Sequence, residues 1–322
     1  MVLPNMLGLV YMAVVPGIGS FASCWLPTLP SFVKMVPVDY KPSAADMNIS
    51  APPNSRWEAG RQPGGPGDSI EVMALRLLSA VLPHALAGER WVIAGHSSGG
   101  PIVYRCMELI LDLLERPQAA ARNISQLAHK WLLPIEAAHL DDRLDSLGGK
   151  PLKMPLVAIS MEGSLLPCDV QGWARELADP SSATANEVEG WEKTKQCTLA
   201  AALQERCGDE DPPRHVQSIR RWLKQKDAPP FAYMAGTLSA ARTRVVFPAL
   251  MALLHESGAL ASKLEIEIVP HAGHGMYDDN PEAVKRGFEH IILESLRASS
   301  RDGSLLEQNA THHASVIVAV VG

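Results

Sequence analysis

The chain has no excess of positive charge, no paired-cysteine motif and no apolar run of membrane length. Its 29 Lys and Arg stand against 35 Asp and Glu, for a net charge of −6 and a pI near 6.0. There is no basic footprint for nucleic acid, and acidity this mild says little about partners. The five cysteines (Cys24, Cys106, Cys168, Cys197 and Cys207) are scattered, odd in number and form no CxxC pair. Neither a disulfide framework nor a zinc site is suggested, and a reducing compartment fits. The apolar run from Leu7 to Val15 stops at Pro16, with no Lys or Arg ahead of it. It is too short for a membrane span and lacks the charged start of a signal peptide. Sequons at Asn48, Asn123 and Asn309 carry little weight without such a signal. No G-x-G-x-x-G follows a strand and no metal-ligand spacing is present, so no cofactor and no metal are expected. The reading is a cytoplasmic protein with no nucleic-acid partner and no membrane span. Its oligomeric state is not legible.

What is present is ordinary for a globular fold: 322 residues, 47% hydrophobic and 20% charged. Strand patterns recur at Leu7–Val15, Val33–Val38, Arg90–Ala94, Leu156–Ser160, Phe231–Ala235 and Leu264–Val269. Helical patterns lie between them, including Ser69–Leu82, Pro101–Leu114 and a last helix from Pro281 to about Arg297. Such alternation predicts an α/β fold, a doubly wound and mainly parallel sheet. Residues 1–170 and 230–298 are assigned to this core. Residues 171–229, with Trp173, Trp191 and Trp222, are too many for a simple crossover and are read as a helical cap over the sheet's carboxyl edge. The tail, 299–322, is expected to be poorly ordered, although Ala314–Val321 has a strand-like composition.

One stretch carries chemistry. Trp91–Gly100 reads WVIAGHSSGG, an apolar strand that ends in a serine between glycines. Gly95-His96-Ser97-Ser98-Gly99 fits G-x-S-x-G, with a strand before it and a helix after it. Ser97 occupies the strained middle position and would project from the top of the sheet. Ser98 follows it and would contribute a backbone N–H at the start of a helix that favours negative charge.

This arrangement resembles the α/β-hydrolase fold superfamily, from the Pro16 turn to the final helix. The likeness rests on the elbow, the Pro16-Gly17 turn after the first strand and a late Gly273-His274-Gly275. Members usually carry two further strands ahead of that turn, whereas six residues precede Leu7, so a trimmed edge or a short gene model is expected. The resemblance implies a base at His274, in the phrase "AGHGMYDDNPE". His271 is read as structural or solvated, and His96 as pointing elsewhere. Relatives place an acid after the fifth strand, but Gly236 to Pro248 contains no carboxylate. Some branches draw the acid from the end of the preceding strand, where Glu162 sits. Asp169 is the runner-up and Glu256 a distant third. The backbone N–H groups of Ile18 and Ser98 would form the oxyanion hole.

Ser97 argues against the branches that use Asp at the elbow. The expectation is hydrolysis of an ester or thioester of a small apolar molecule through an acyl-enzyme, with a Ser97–His274–Glu162 triad and no cofactor. A lactone or a carbon–carbon bond beside a carbonyl stays open. Two other classes stay open as well: a receptor that retains the pocket but turns over slowly or never, and an interaction protein that has lost its acid.

Overall fold

The computed structural model describes residues 8–17, 22–39, 70–148, 152–163, 214–225, 228–239, 263–302 and 318–320. In chain order they form β1 (Val10–Val15), a 3-10 segment (Ala22–Thr28), β2 (Val33–Pro37), α1 (Ile70–Leu86), β3 (Arg90–His96) and α2 (Gly99–Glu115). Next come α3 (Pro117–Trp131), α4 (Pro134–Ser146), β4 (Ala158–Met161), α5 (Arg214–Lys224) and β5 (Phe231–Gly236). The chain then forms β6 (Leu264–Val269), α6 (Met276–Asp279), α7 (Pro281–Asp302) and β7 (Val318–Val320).

All seven strands are parallel, in the order β2-β1-β3-β4-β5-β6-β7. The predicted doubly wound sheet is therefore present. Within 299–322, expected to be a poorly ordered tail, residues 299–302 instead continue the last helix and 318–320 form β7, which pairs with β6 from Ile266 to Ile268.

The central strands are apolar on both faces because each face is covered by helices. Their side chains alternate between two cores. Val10, Met12, Val14, Val92, Ala94, Ile159 and Met234 pack with Trp25 and with Val284, Phe288 and Ile291 of α7. Ala13, Val15, Trp91, Ile93, Ala158, Phe231 and Tyr233 face α1, α2 and α5. No helix among the described residues is long and apolar enough to cross a membrane.

The passage after α2 is two helices. Each begins at a proline, Pro117 or Pro134, at the first helical position, where the missing N–H costs nothing. The Arg76 guanidinium bonds Glu136 at 3.2 Å and ties α4 to α1.

Of the span read as a cap, only residues 214–225 and 228–229 are described. There α5 lies along α2, from Tyr104 to Glu115. Ile219, Trp222 and Leu223 are buried, and Arg221 reaches Asp112 at 2.8 Å and Glu115 at 2.7 Å. Trp222 donates its indole N–H to the Pro229 carbonyl at 2.8 Å, so this tryptophan packs the helix onto the sheet. Trp173 and Trp191 lie outside the described residues.

Candidate active site

The chain leaves β1 for β2 on one side and returns to β3 on the other. Where crossovers change direction in a parallel sheet, a crevice opens beyond the carboxyl ends of the strands. The carboxyl end of β1 carries Pro16-Gly17, and that of β3 carries Ser97.

Ser97 has φ of 54°, a left-handed conformation that is strained for any residue with a Cβ. Two contacts hold it. Its N–H donates to the Met161 carbonyl at 2.9 Å, and its own carbonyl accepts the Gly100 N–H at 3.0 Å. The flanking glycines are required by space. A Cβ at Gly95 would stand 2.2 Å from the Gly99 carbonyl oxygen, and one at Gly99 would stand 2.4 Å from the Val15 carbonyl oxygen. Both obstacles are backbone, which cannot rotate away. Gly95→Ala is therefore expected to cost at least ~3 kcal/mol, the upper range for overpacking. Urea unfolding monitored by circular dichroism checks it, and a midpoint equal to wild type contradicts the close strand–helix approach.

Gly17 meets the same spot from β1. A Cβ there would lie 2.8 Å from His96 Nδ1 and 2.9 Å from Ser97 Cβ. The turn after the first strand is thus pressed against the serine. Ile18, expected to supply an N–H there, lies outside the described residues. Ser98 stands directly before α2 at φ of −61°, with Gly99 opening the helix behind it.

The histidine loop comes from the other side of the sheet. Between β6 and α7, Gly273 donates its N–H to Asp279 Oδ2 at 2.7 Å, and Asn280 donates its side-chain N–H to the Pro270 carbonyl at 2.8 Å. The Asp279-Asn280 pair thus closes the loop on itself and presents His274. His274 Nε2 lies 2.9 Å from Ser97 Oγ. His271, at φ of 54°, donates its backbone N–H to Thr237 Oγ1 at 2.9 Å.

Glu162 follows β4 as Ser97 follows β3, and His96 and Met161 are register partners, so the two residues project side by side. Glu162 also has positive φ, 50°, and is fully buried. Burying a carboxylate is costly unless donors meet it. Oε1 accepts the Gly236 N–H at 2.7 Å, and Oε2 accepts the Ser239 hydroxyl at 2.7 Å. The segment after β5, where no carboxylate stands, therefore supplies donors to the carboxylate of its neighbour. From Glu162 Oε2 to His274 Nδ1 the distance is 3.9 Å, within ion-pair reach but longer than a hydrogen bond. Asp169 and Glu256 lie outside the described residues.

One expectation is corrected. His96 does not point elsewhere: its Nε2 donates to the main-chain carbonyl of His274 at 2.6 Å, and the two rings stand 4.7 Å apart. Tyr277 and Trp25 pack edge-on to the His96 ring, at 5.0 and 6.4 Å. The elbow's second residue thus holds the loop that carries His274. The contact links positions 178 residues apart, which no local pattern encodes.

The wholly parallel sheet, the serine on its strand-to-helix turn and the histidine after β6 together decide the architecture. The fold is that of the α/β-hydrolases. No family model matches the chain, and no curated protein matches it in sequence. Solved structures of similar shape include the RedJ thioesterase from the prodiginine biosynthetic pathway of Streptomyces coelicolor (13% identity, TM-score 0.44, covering 90% of this chain and 87% of that one). MenH from S. aureus shares 9% identity at a TM-score of 0.47, covering 91% and 96%. NosK from Streptomyces actuosus shares 16% at 0.46, covering 91% and 99%. Likenesses this distant carry no weight for chemistry, which rests on the residues themselves.

Proposed function

We propose that the protein is a serine hydrolase that cleaves an ester or thioester of a small apolar molecule through an acyl-enzyme. The observation that carries this reading is the 2.9 Å contact between Ser97 Oγ and His274 Nε2 at the switch point of the sheet. In the proposed reaction, Ser97 Oγ attacks the substrate carbonyl while His274 Nε2 takes its proton. The tetrahedral oxyanion is held by the Ser98 and Ile18 N–H groups. The imidazolium returns its proton to the leaving alcohol or thiol as the acyl-enzyme forms. Water, deprotonated by His274, then releases the acid. Glu162 keeps the imidazole in the tautomer with Nδ1–H and stabilises its charged form.

The test is hydrolysis of short-chain nitrophenyl esters and thioesters, together with labelling by a fluorophosphonate probe that reports an activated serine. Turnover with labelling that maps to Ser97 supports the reading; no turnover and no labelling refute it.

A second reading draws on one observation. Both oxygens of Glu162 accept other donors, and His274 Nδ1 stands 3.9 Å away. A receptor that uses the same pocket without chemistry needs no closer contact. Saturable binding of an apolar ester that is recovered intact would favour it.

His96 is proposed as a positioning residue. His96→Phe keeps the ring against Tyr277 and Trp25 but removes the N–H that holds the His274 carbonyl. A hydrogen bond of this kind contributes about 1–1.5 kcal/mol, or about tenfold in rate. The expected result is kcat about tenfold lower at nearly constant KM, with partial recovery in His96→Gln, which retains a donor. Unchanged kcat in His96→Phe contradicts the assignment.

A further inference from the structure

Away from the serine, the outer face of β6 carries two carboxylates where an apolar strand would be expected. Glu265 and Glu267 are two residues apart, so their side chains leave the strand on the same face, toward α7. Glu267 is 2% exposed, and its register partner on β5 is the buried Met234. α7 comes down closely on this spot. A Cβ at Gly287 would stand 3.1 Å from Glu267 Cγ, and one turn further His290 presents its ring. His290 Nε2 lies 3.3 Å from Glu265 Oε1. One ligand atom from each of Glu265, Glu267 and His290 lies within 4.8 Å of the others.

Glu267 Oε2 is buried and has no hydrogen-bond partner among the described residues. A buried carboxylate oxygen without a donor is an uncompensated cost, and none of the described side chains meets it. Burial raises the Glu267 carboxyl to about 7, with the Glu265 charge adding to the rise and His290 opposing it. Burial raises Glu265 as well, with Glu294 adding and His290 again opposing. A cation held between the three donors would supply the missing partner.

We propose that Glu265, Glu267 and His290 form a binding site for one divalent transition-metal ion of the zinc type, which fastens α7 to β6. Two carboxylate oxygens and one imidazole nitrogen are a borderline donor set that suits Zn²⁺ and leaves a fourth position for water. Magnesium and calcium prefer six or more oxygens and are poorly served. Donors about 2.1 Å from a common tetrahedral ion stand roughly 3.4 Å apart, so side-chain rotation alone draws in a set now within 4.8 Å. Access is available from the surface, since the His290 side chain is 37% exposed and that of Glu265 21%. The ligand spacing, two residues on a strand and 23 further along a helix, matches no contiguous metal motif. The site is independent of the proposed hydrolysis. Its mechanical consequence falls on the histidine loop, which runs from β6 to α7.

The experiment is titration of the full chain, stripped with EDTA, with ZnCl2 by calorimetry and by thermal unfolding, beside MgCl2. The expected wild-type result is one Zn²⁺ per chain at micromolar or tighter affinity, a Tm raised by several degrees and no response to Mg²⁺. His290→Ala lies at the surface and should fold; Glu267→Gln keeps the shape of the buried side chain. Each is expected to weaken Zn²⁺ at least tenfold and to abolish the rise in Tm. X-ray absorption of the zinc form should show only nitrogen and oxygen neighbours. Absence of saturable binding to the wild type overturns the proposal. So does Zn²⁺ held as tightly by His290→Ala as by the wild type, which would place the ion on other surface histidines or on the exposed Cys24.

Discussion

Ser97→Ala is expected to lower kcat for nitrophenyl ester hydrolysis by on the order of 10⁴-fold or more, with a fold and Tm close to wild type. The nucleophile would be gone, and no neighbour can replace it. Ser98 stands next in the chain but occupies the start of α2 at φ of −61°, a helical conformation, whereas Ser97 adopts the left-handed bend. Alanine is tolerated less well than glycine at φ of 54°, but serine already bears the same Cβ, so the substitution adds no strain. Residual rate above the uncatalysed reaction should remain, from the N–H groups at the helix start and from binding. Ser98→Ala is the control and should stay within a few-fold of wild type, because only its backbone is used. Comparable losses in the two variants would mean that the elbow is misassigned.

Glu162→Gln is expected to cut kcat by roughly 10³- to 10⁴-fold while leaving the protein folded. The amide fits the site. Its oxygen can accept the Gly236 N–H in place of Oε1, and its NH2 can face Ser239, since a hydroxyl can accept as well as donate. What changes is the side facing His274, where an amide N–H replaces the carboxylate oxygen and disfavours a proton on Nδ1. The ring then carries its proton on Nε2, the atom that must receive the proton of Ser97. It also loses the negative charge that stabilises the imidazolium. Steady-state kinetics and unfolding curves together check this. A variant with near-normal turnover would show that Glu162 is a structural acceptor for the β5 loop, and Asp169→Asn would become the decisive substitution. If neither matters, the protein works with Ser97 and His274 alone or performs no hydrolysis.

Much of this site is legible in the sequence because it is encoded by sterics over a few residues. Gly95 and Gly99 declare that strand and helix cross closely around Ser97, and the distances of 2.2 and 2.4 Å to backbone oxygens are the reason. His274 is legible through the resemblance, from Gly273-His274-Gly275 after the sixth strand. Its loop must close within ten residues, and Asp279 and Asn280 are the side chains that bond Gly273 and Pro270 to do so. Glu162 is harder. The sequence offers only a missing carboxylate after β5 and a spare one after β4. That the Gly236 N–H and the Ser239 hydroxyl fill the gap with donors is visible only when the two strands lie side by side. Two helices, α3 and α4, go unread although Pro117 and Pro134 mark their starts, since a proline signals a boundary without dictating the conformation beyond it.

By itself the sequence determined the alternation of apolar strands and helices, the parallel winding that such alternation imposes, and the position of one strained serine. These depend on contacts between near neighbours, where backbone geometry leaves few alternatives. The tertiary structure alone decided which strands are adjacent, and with it three relationships: the 3.9 Å between Glu162 and His274, the bond from His96 to the His274 carbonyl, and the meeting of Glu265, Glu267 and His290. Each joins residues brought together by burial of two apolar sheet faces. Burial is a cooperative, largely non-directional force, and no short stretch of chain records which distant polar groups it will set side by side.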